Sequence, residues 1–149
     1  MGVEVFSLIN EILPVMEDFL LKGTKKTPTV FLKKDGTFVF SGTSMPEDAA
    51  NYYFNIMDWL SDYFRSPADS THIKISFRYL NSASSSMIYK IFHLMNRLPI
   101  TGRSSVNCIW TMEEDDQQMF DFYNQIKEMA SNIQFTSHAV YKIEEKDFV

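Results

Sequence analysis

One change of period constrains this chain more than anything else in it. His72-Ile73-Lys74-Ile75-Ser76-Phe77 alternates apolar and polar at period two, as a strand does. Beyond Arg78 to Ser86, the residues Met87, Ile88, Ile91, Phe92, Met95 and Leu98 recur at helical spacing. A strand that runs through one tight turn into a helix must return to its sheet by a crossover. This favours a partly parallel sheet over a simple meander.

The rest of the chain extends that reading. Phe19-Leu20-Leu21 reads as a short edge strand. Thr29-Val30-Phe31-Leu32 and Thr37-Phe38-Val39-Phe40 flank Lys34-Asp35-Gly36, and Asp-Gly between apolar runs marks a hairpin. Pro46-Glu47-Asp48 opens a helix, with Pro in its first turn. The apolar face of that helix carries Tyr52, Tyr53, Ile56, Met57, Trp59, Leu60, Tyr63 and Phe64, and Pro67 closes it. The helix after the serines breaks at Pro99 and Gly102. Val106 to Trp110 forms a strand, Asp115 to Ala130 a helix, and Ile133 to Tyr141 a last strand. Upstream, Val5, Phe6, Leu8, Ile9, Ile12 and Leu13 predict an amphipathic helix over 3–13. So short a helix needs a cover for its stripe, and a homodimer contact or the adjacent sheet edge is the expectation. The domain plan is an N-terminal helical extension over 1–15, one α/β domain over 16–141 and a charged tail over 142–149.

Composition excludes several functions. At 149 residues the chain is one domain by size. A net charge of −5 with only short basic pairs argues against a nucleic-acid surface. Cys108 is the single cysteine, so no intrachain disulfide forms. It falls in an apolar strand pattern and reads as core, not as a nucleophile. His72, His93 and His138 lie on three separate elements without ligand spacing, and no Gly-rich phosphate loop opens a helix. Neither metal nor cofactor is expected. The first residues carry Glu4 in place of a basic start, and Asn10 and Glu11 interrupt a short apolar run, so cytoplasm is the expected location.

The hydroxyl cluster Ser82-Ala83-Ser84-Ser85-Ser86 stands at the open N-terminus of its helix. Free N–H groups and the positive dipole end favour an anion there, a phosphoryl group included. The competing reading is that one of these serines is an N-cap. Glu113-Glu114-Asp115-Asp116, ahead of another helix, reads chiefly as cap and dipole partner, and secondarily as a surface for basic partner residues.

Five pieces, taken in order, resemble one family. They are Gly23-Thr24-Lys25-Lys26-Thr27-Pro28, Ser41-Gly42-Thr43-Ser44-Met45-Pro46-Glu47-Asp48, Asp58-Trp59-Leu60, Tyr79-Leu80-Asn81-Ser82-Ala83-Ser84 and Trp110-Thr111-Met112-Glu113-Glu114-Asp115-Asp116. Together they resemble the SiaC-type regulatory phosphoproteins, bacterial partner-switching proteins related in fold to anti-sigma-factor antagonists. The resemblance implies a STAS-like mixed sheet with a leading hairpin and helices mainly on one face. It implies no enzyme activity. It implies a cognate kinase, a metal-dependent phosphatase and a downstream target such as a diguanylate cyclase. The acceptor position is Ser82, with Ser84 or Ser85 as fallback. Tyr79, Asn81, Ser82 and the acidic run Glu113, Glu114, Asp115 and Asp116 are the expected partner surface. Ser82 replaces the family's usual threonine and Ala83 its usual serine, and Met87 stands where a basic residue is common. Those departures leave open a divergent scaffold or dimerisation module that has lost the switch. A small-molecule enzyme is disfavoured by the missing acid/base pair.

Overall fold

The tight turn at Gly36 sets the first half of the sheet. Its φ of +99° suits only glycine, and an added Cβ would lie 2.3 Å from the Ser70 carbonyl oxygen. Gly36 N–H donates to Lys33 O, and Thr37 N–H donates to the Asp35 carboxylate at 2.9 Å. The strands so joined, β2 (Thr29–Leu32) and β3 (Thr37–Ser44), pair antiparallel. The edge strand β1 (Phe19–Leu21) pairs antiparallel with β2. The computed structural model describes residues 16–144. The helix expected over 3–13 and most of the charged tail lie outside the described residues.

From β3 onward the chain alternates. Helix α1 (Ala49–Arg65) leads to β4 (Ser70–Leu80). Helices α2 (Ser82–Met95) and α3 (Arg97–Ile100) lead to β5 (Ser105–Glu113), and α4 (Gln117–Met129) leads to β6 (Gln134–Val140). Strands β3, β4, β5 and β6 are mutually parallel, and the sheet order is β1-β2-β3-β4-β5-β6. Each crossover steps the same way across the sheet. Right-handed connections therefore put the three long helices on one face.

That face holds the core. Phe38, Phe40, Ile73, Ile75, Phe77, Cys108 and Trp110 pack beneath Tyr53, Ile56, Leu60, Ile88, Phe92 and Ile126. Trp59 stacks on Tyr63 at 5.5 Å between centroids and donates its indole N–H to Glu17 O at 2.7 Å. The aromatic helix α1 is therefore core, as its spacing indicates. Cys108 is fully buried, and burial pushes its thiol well above the ordinary 9.0. Among the described residues no helix is long and apolar enough to cross a membrane.

Two helix starts differ from expectation. The helix expected from Pro46 begins at Ala49, because the Asp48 carboxylate takes the N-cap and accepts from Asn51 N–H. The one expected from Asp115 begins at Gln117, because Asp116 caps it in the same way. Pro99 breaks the helix one turn ahead of itself. It sits within α3, and α2 has already ended at Met95, the residue whose carbonyl Pro99 could not serve.

The β3–β4 ladder carries one irregularity that matters below. Gly42 pairs with Phe77 but Thr43 pairs with Tyr79, which leaves Arg78 as an extra residue in β4. The bulge keeps Leu80 beside Ser44 and delivers Asn81 to the mouth of α2.

Candidate functional site

The carboxyl ends of β3, β4 and β5 and the N-termini of α1, α2 and α4 share one edge of the domain. Each of these helices opens on a side-chain cap. Asp48 serves α1, Asn81 serves α2 and Asp116 serves α4. Among the described residues the parallel strands follow in chain order, without the reversal that opens a cofactor crevice in doubly wound sheets.

The serine cluster divides by helical phase. The N-cap is Asn81, not a serine. Its side-chain oxygen accepts from Ser84 N–H at 2.8 Å, its carbonyl accepts from Ser85 N–H, and its own N–H donates to Ser44 O. An amide oxygen one residue upstream satisfies the first turn and leaves the Ser82 hydroxyl unneeded for capping. Ser82 is the first helical residue and is exposed, as are Ala83 and Ser86. Ser85 is half-buried. Ser84 has no exposed surface; its Oγ lies 2.8 Å from Ser44 Oγ, which lies 2.7 Å from the Tyr53 hydroxyl. Burial raises the Tyr53 phenol to about 12 despite the Ser44 and Ser84 hydrogen bonds. The fallback acceptor Ser84 is thus a core hydroxyl, out of reach of another protein in this conformation.

Ser82 and Ser85 look into a cleft of about 260 Å³ between α2 and α4, shared with Arg78, Tyr79, Asp116 and Phe122. The acidic run approaches the cleft from the other wall. Asp116 Oδ1 accepts from Met119 N–H at 3.0 Å, and Glu114 N–H donates to Val140 O at 2.8 Å. Glu114 and Asp115 are exposed, while Glu113 and Asp116 are half-buried. Glu113, Glu114 and Asp116 also border a second hollow of about 300 Å³ with Phe120. Among the described residues no group of three or more His, Cys, Asp or Glu side chains could hold a metal ion. Tyr79, Asn81 and Ser82 therefore stand together with Asp116, and Glu113 to Asp115 continue the same edge.

Sequence reasoning missed Arg78, Ser44 and Tyr53. Arg78 is among the residues that line the cleft holding Ser82, and its Nε and NH2 donate to Ile143 O at 3.3 and 3.2 Å. Ser44 and Tyr53 form the buried floor beneath Ser84.

Comparison with known proteins bears on this edge. The sequence profile described as SiaC family regulatory phosphoprotein matches residues 21–140. The fold is similar to SiaC of Pseudomonas aeruginosa, with a TM-score of 0.75 and 21% identity over 84% of this chain and all of that one. It is likewise similar to a chain in the crystal structure of diguanylate cyclase SiaD in complex with its activator SiaC, from the same organism. There the TM-score is 0.73 and the identity 21%, over 83% of this chain and all of that one. A comparison with curated protein sequences finds no match.

Proposed function

Because the chain belongs to the SiaC family of regulatory phosphoproteins, we propose that it is a signalling protein switched by reversible phosphorylation of Ser82. It is a regulator and not itself an enzyme. A kinase adds the phosphate, a phosphatase removes it, and the unmodified form engages and promotes a diguanylate cyclase.

The observation that carries this reading is the position of Ser82. It is exposed, first in α2, and relieved of capping by Asn81. A phosphate there adds about −1.5 to −2 charge. The helix N-terminus favours that charge, so the domain keeps its fold. Exposed apolar side chains surround the same edge: Met45 after β3, Tyr79 at the end of β4 and Phe120 in the first turn of α4. Such side chains are what a partner would cover. Desolvating a phosphate in their midst opposes docking without unfolding anything.

The test uses the cognate kinase and cyclase. Intact mass after incubation with kinase and ATP should show one phosphate on the wild type and none on Ser82→Ala. In a pull-down, the unmodified protein should retain the cyclase, and both the phosphoprotein and Ser82→Asp should bind at least about tenfold more weakly. Equal retention of all three forms would remove the switch. Phosphate persisting in Ser82→Ala would move the acceptor to Ser85.

A further inference from the structure

The charged tail does not leave the domain where β6 ends. Val140 pairs with Glu113 of β5, yet the carbonyl of Ile143 accepts from Arg78 Nε and NH2 in β4 at 3.3 and 3.2 Å. Within that short span the chain doubles back from the edge strand across β5. Ile143 is fully buried and stands apart from the core beneath the helices. The face it crosses is the rear of the sheet. Alternation along β4 turns Ile73, Ile75 and Phe77 toward the helices, while Arg78 lines a rear hollow with Phe31, Ser41 and Thr43.

The rear face is covered where the tail is heading. Val39, Ser41 and Ser76 are buried there, although all three long helices pack on the opposite face. Register sets Leu20, Phe31 and Val39 in one apolar row across β1, β2 and β3. Leu20 is exposed and Phe31 half-buried, so part of the row is still open. Charge agrees with an occupant from the tail. Lys22, Lys25 and Arg78 line the hollow beside this row, and no carboxylate is among the described residues that line it. Residues 144–147 carry three acids and one lysine. Reach agrees as well. Strands lie about 4.8 Å apart, so β2 is about 10 Å from β4, and five extended residues span up to about 17 Å. The first 15 residues leave from the other side: Met16 packs against the helix-side core, and Glu17 O accepts from Trp59 of α1.

We propose that residues 145–149 form a strap that continues across β4 and β3 on the rear face. Phe148 seats on Phe31 and Val39, and Glu145 and Asp147 lie beside the lysines of the hollow. The strap closes the middle of a sheet face on which a second copy could otherwise pack. It stands on its own residues and does not depend on Ser82 being an acceptor.

A spin label tests this in the full chain. Cys108 is the single cysteine and is fully buried, so a label on Lys146→Cys sits at that position alone. The amides of Phe31, Val39 and Ser76 should broaden, while Asn55 and Asp62, exposed on α1, stay sharp. Adding Phe148→Ser should remove most of the broadening at Phe31 and Val39. Without a label, Phe148→Ala should lower the melting temperature by about 3–6 °C, and Lys146→Ala should leave it unchanged. Broadening confined to the neighbours of Glu144 overturns the proposal, as does broadening that survives Phe148→Ser or a melting temperature that ignores Phe148→Ala. Spin-labelled chains mixed with isotope-labelled chains that lack the spin label provide the last arm. Broadening at Phe31 in that mixture would make the occupant a second copy and overturn the strap.

Discussion

The hydroxyl oxygens of Ser44 and Ser84 meet at 2.8 Å in the core although 40 positions separate them in the chain. Ser44 also reaches the Tyr53 hydroxyl, so one small side chain ties the end of β3 to both α1 and the acceptor helix. Ser44→Ala removes the hydroxyl that the buried Ser84 and Tyr53 hydroxyls both bond. A loss of about 1–3 kcal/mol is expected, read from urea unfolding. Ser85→Ala, one residue along and half-buried, should stay within about 0.5 kcal/mol. Equal effects at the two positions would contradict the buried network.

The cap at Asn81 is separable from the acceptor next to it. Asn81→Ala should lose about 1 kcal/mol, because Ser84 N–H loses its side-chain acceptor. Asn81→Asp should keep most of the stability. Ser82→Asp should change the unfolding free energy by less than about 1 kcal/mol, since the helix dipole favours the carboxylate while Asp116 across the cleft opposes it. Thermal melts of the three variants are enough to compare them.

Tyr53 supplies a pH dependence. Its phenol is raised from the ordinary 10.0 to about 12 in the folded chain, so the folded state prefers the neutral form. That preference contributes fully below pH 10.0, where the unfolded phenol is also neutral, and is lost as pH rises toward about 12. The loss amounts to at most about 3 kcal/mol. Tyr53→Phe should be less stable than wild type at neutral pH yet show a flatter decline through this alkaline window. Tyr52, Tyr123 and Cys108 are also raised and weaken both proteins alike. Parallel pH profiles for wild type and variant would remove Tyr53 as the source.

Gly36 and Gly102 both have positive φ but differ in surroundings. An Ala at 36 would meet the Ser70 carbonyl, whereas a Cβ at 102 meets nothing within 4 Å. Gly36→Ala should therefore cost at least about 2 kcal/mol and Gly102→Ala about 1 kcal/mol, by chemical denaturation.

Much of this architecture was legible from local periodicity. The Asp35-Gly36 hairpin, the edge strand at Phe19 and the crossover helices each follow from a short window of sequence. Helix starts were read too early at Pro46 and Asp115. Several acids near a helix start all suit its dipole, and only geometry decides which carboxylate becomes the cap. The choice among serines was recoverable. Ser84 is in phase with Ile88, Ile91 and Met95, at spacings that place one side chain per turn on the buried face. Ser82 is out of that phase. The bulge at Arg78 was not recoverable, since it exists only in the pairing of two distant strands.

The strict chain order of the six strands has a consequence for how the molecule comes into being. Each strand after β1 finds a partner in the strand made just before it, so the sheet can lengthen one strand at a time while the ribosome is still working. The cleft at Ser82 needs Asp116 and Phe122 from α4, which emerge well after the serine itself. A nascent chain that has exposed Ser82 has not yet built the wall opposite it. An enzyme or partner that reads the whole cleft is thereby kept waiting until α4 has been made and packed.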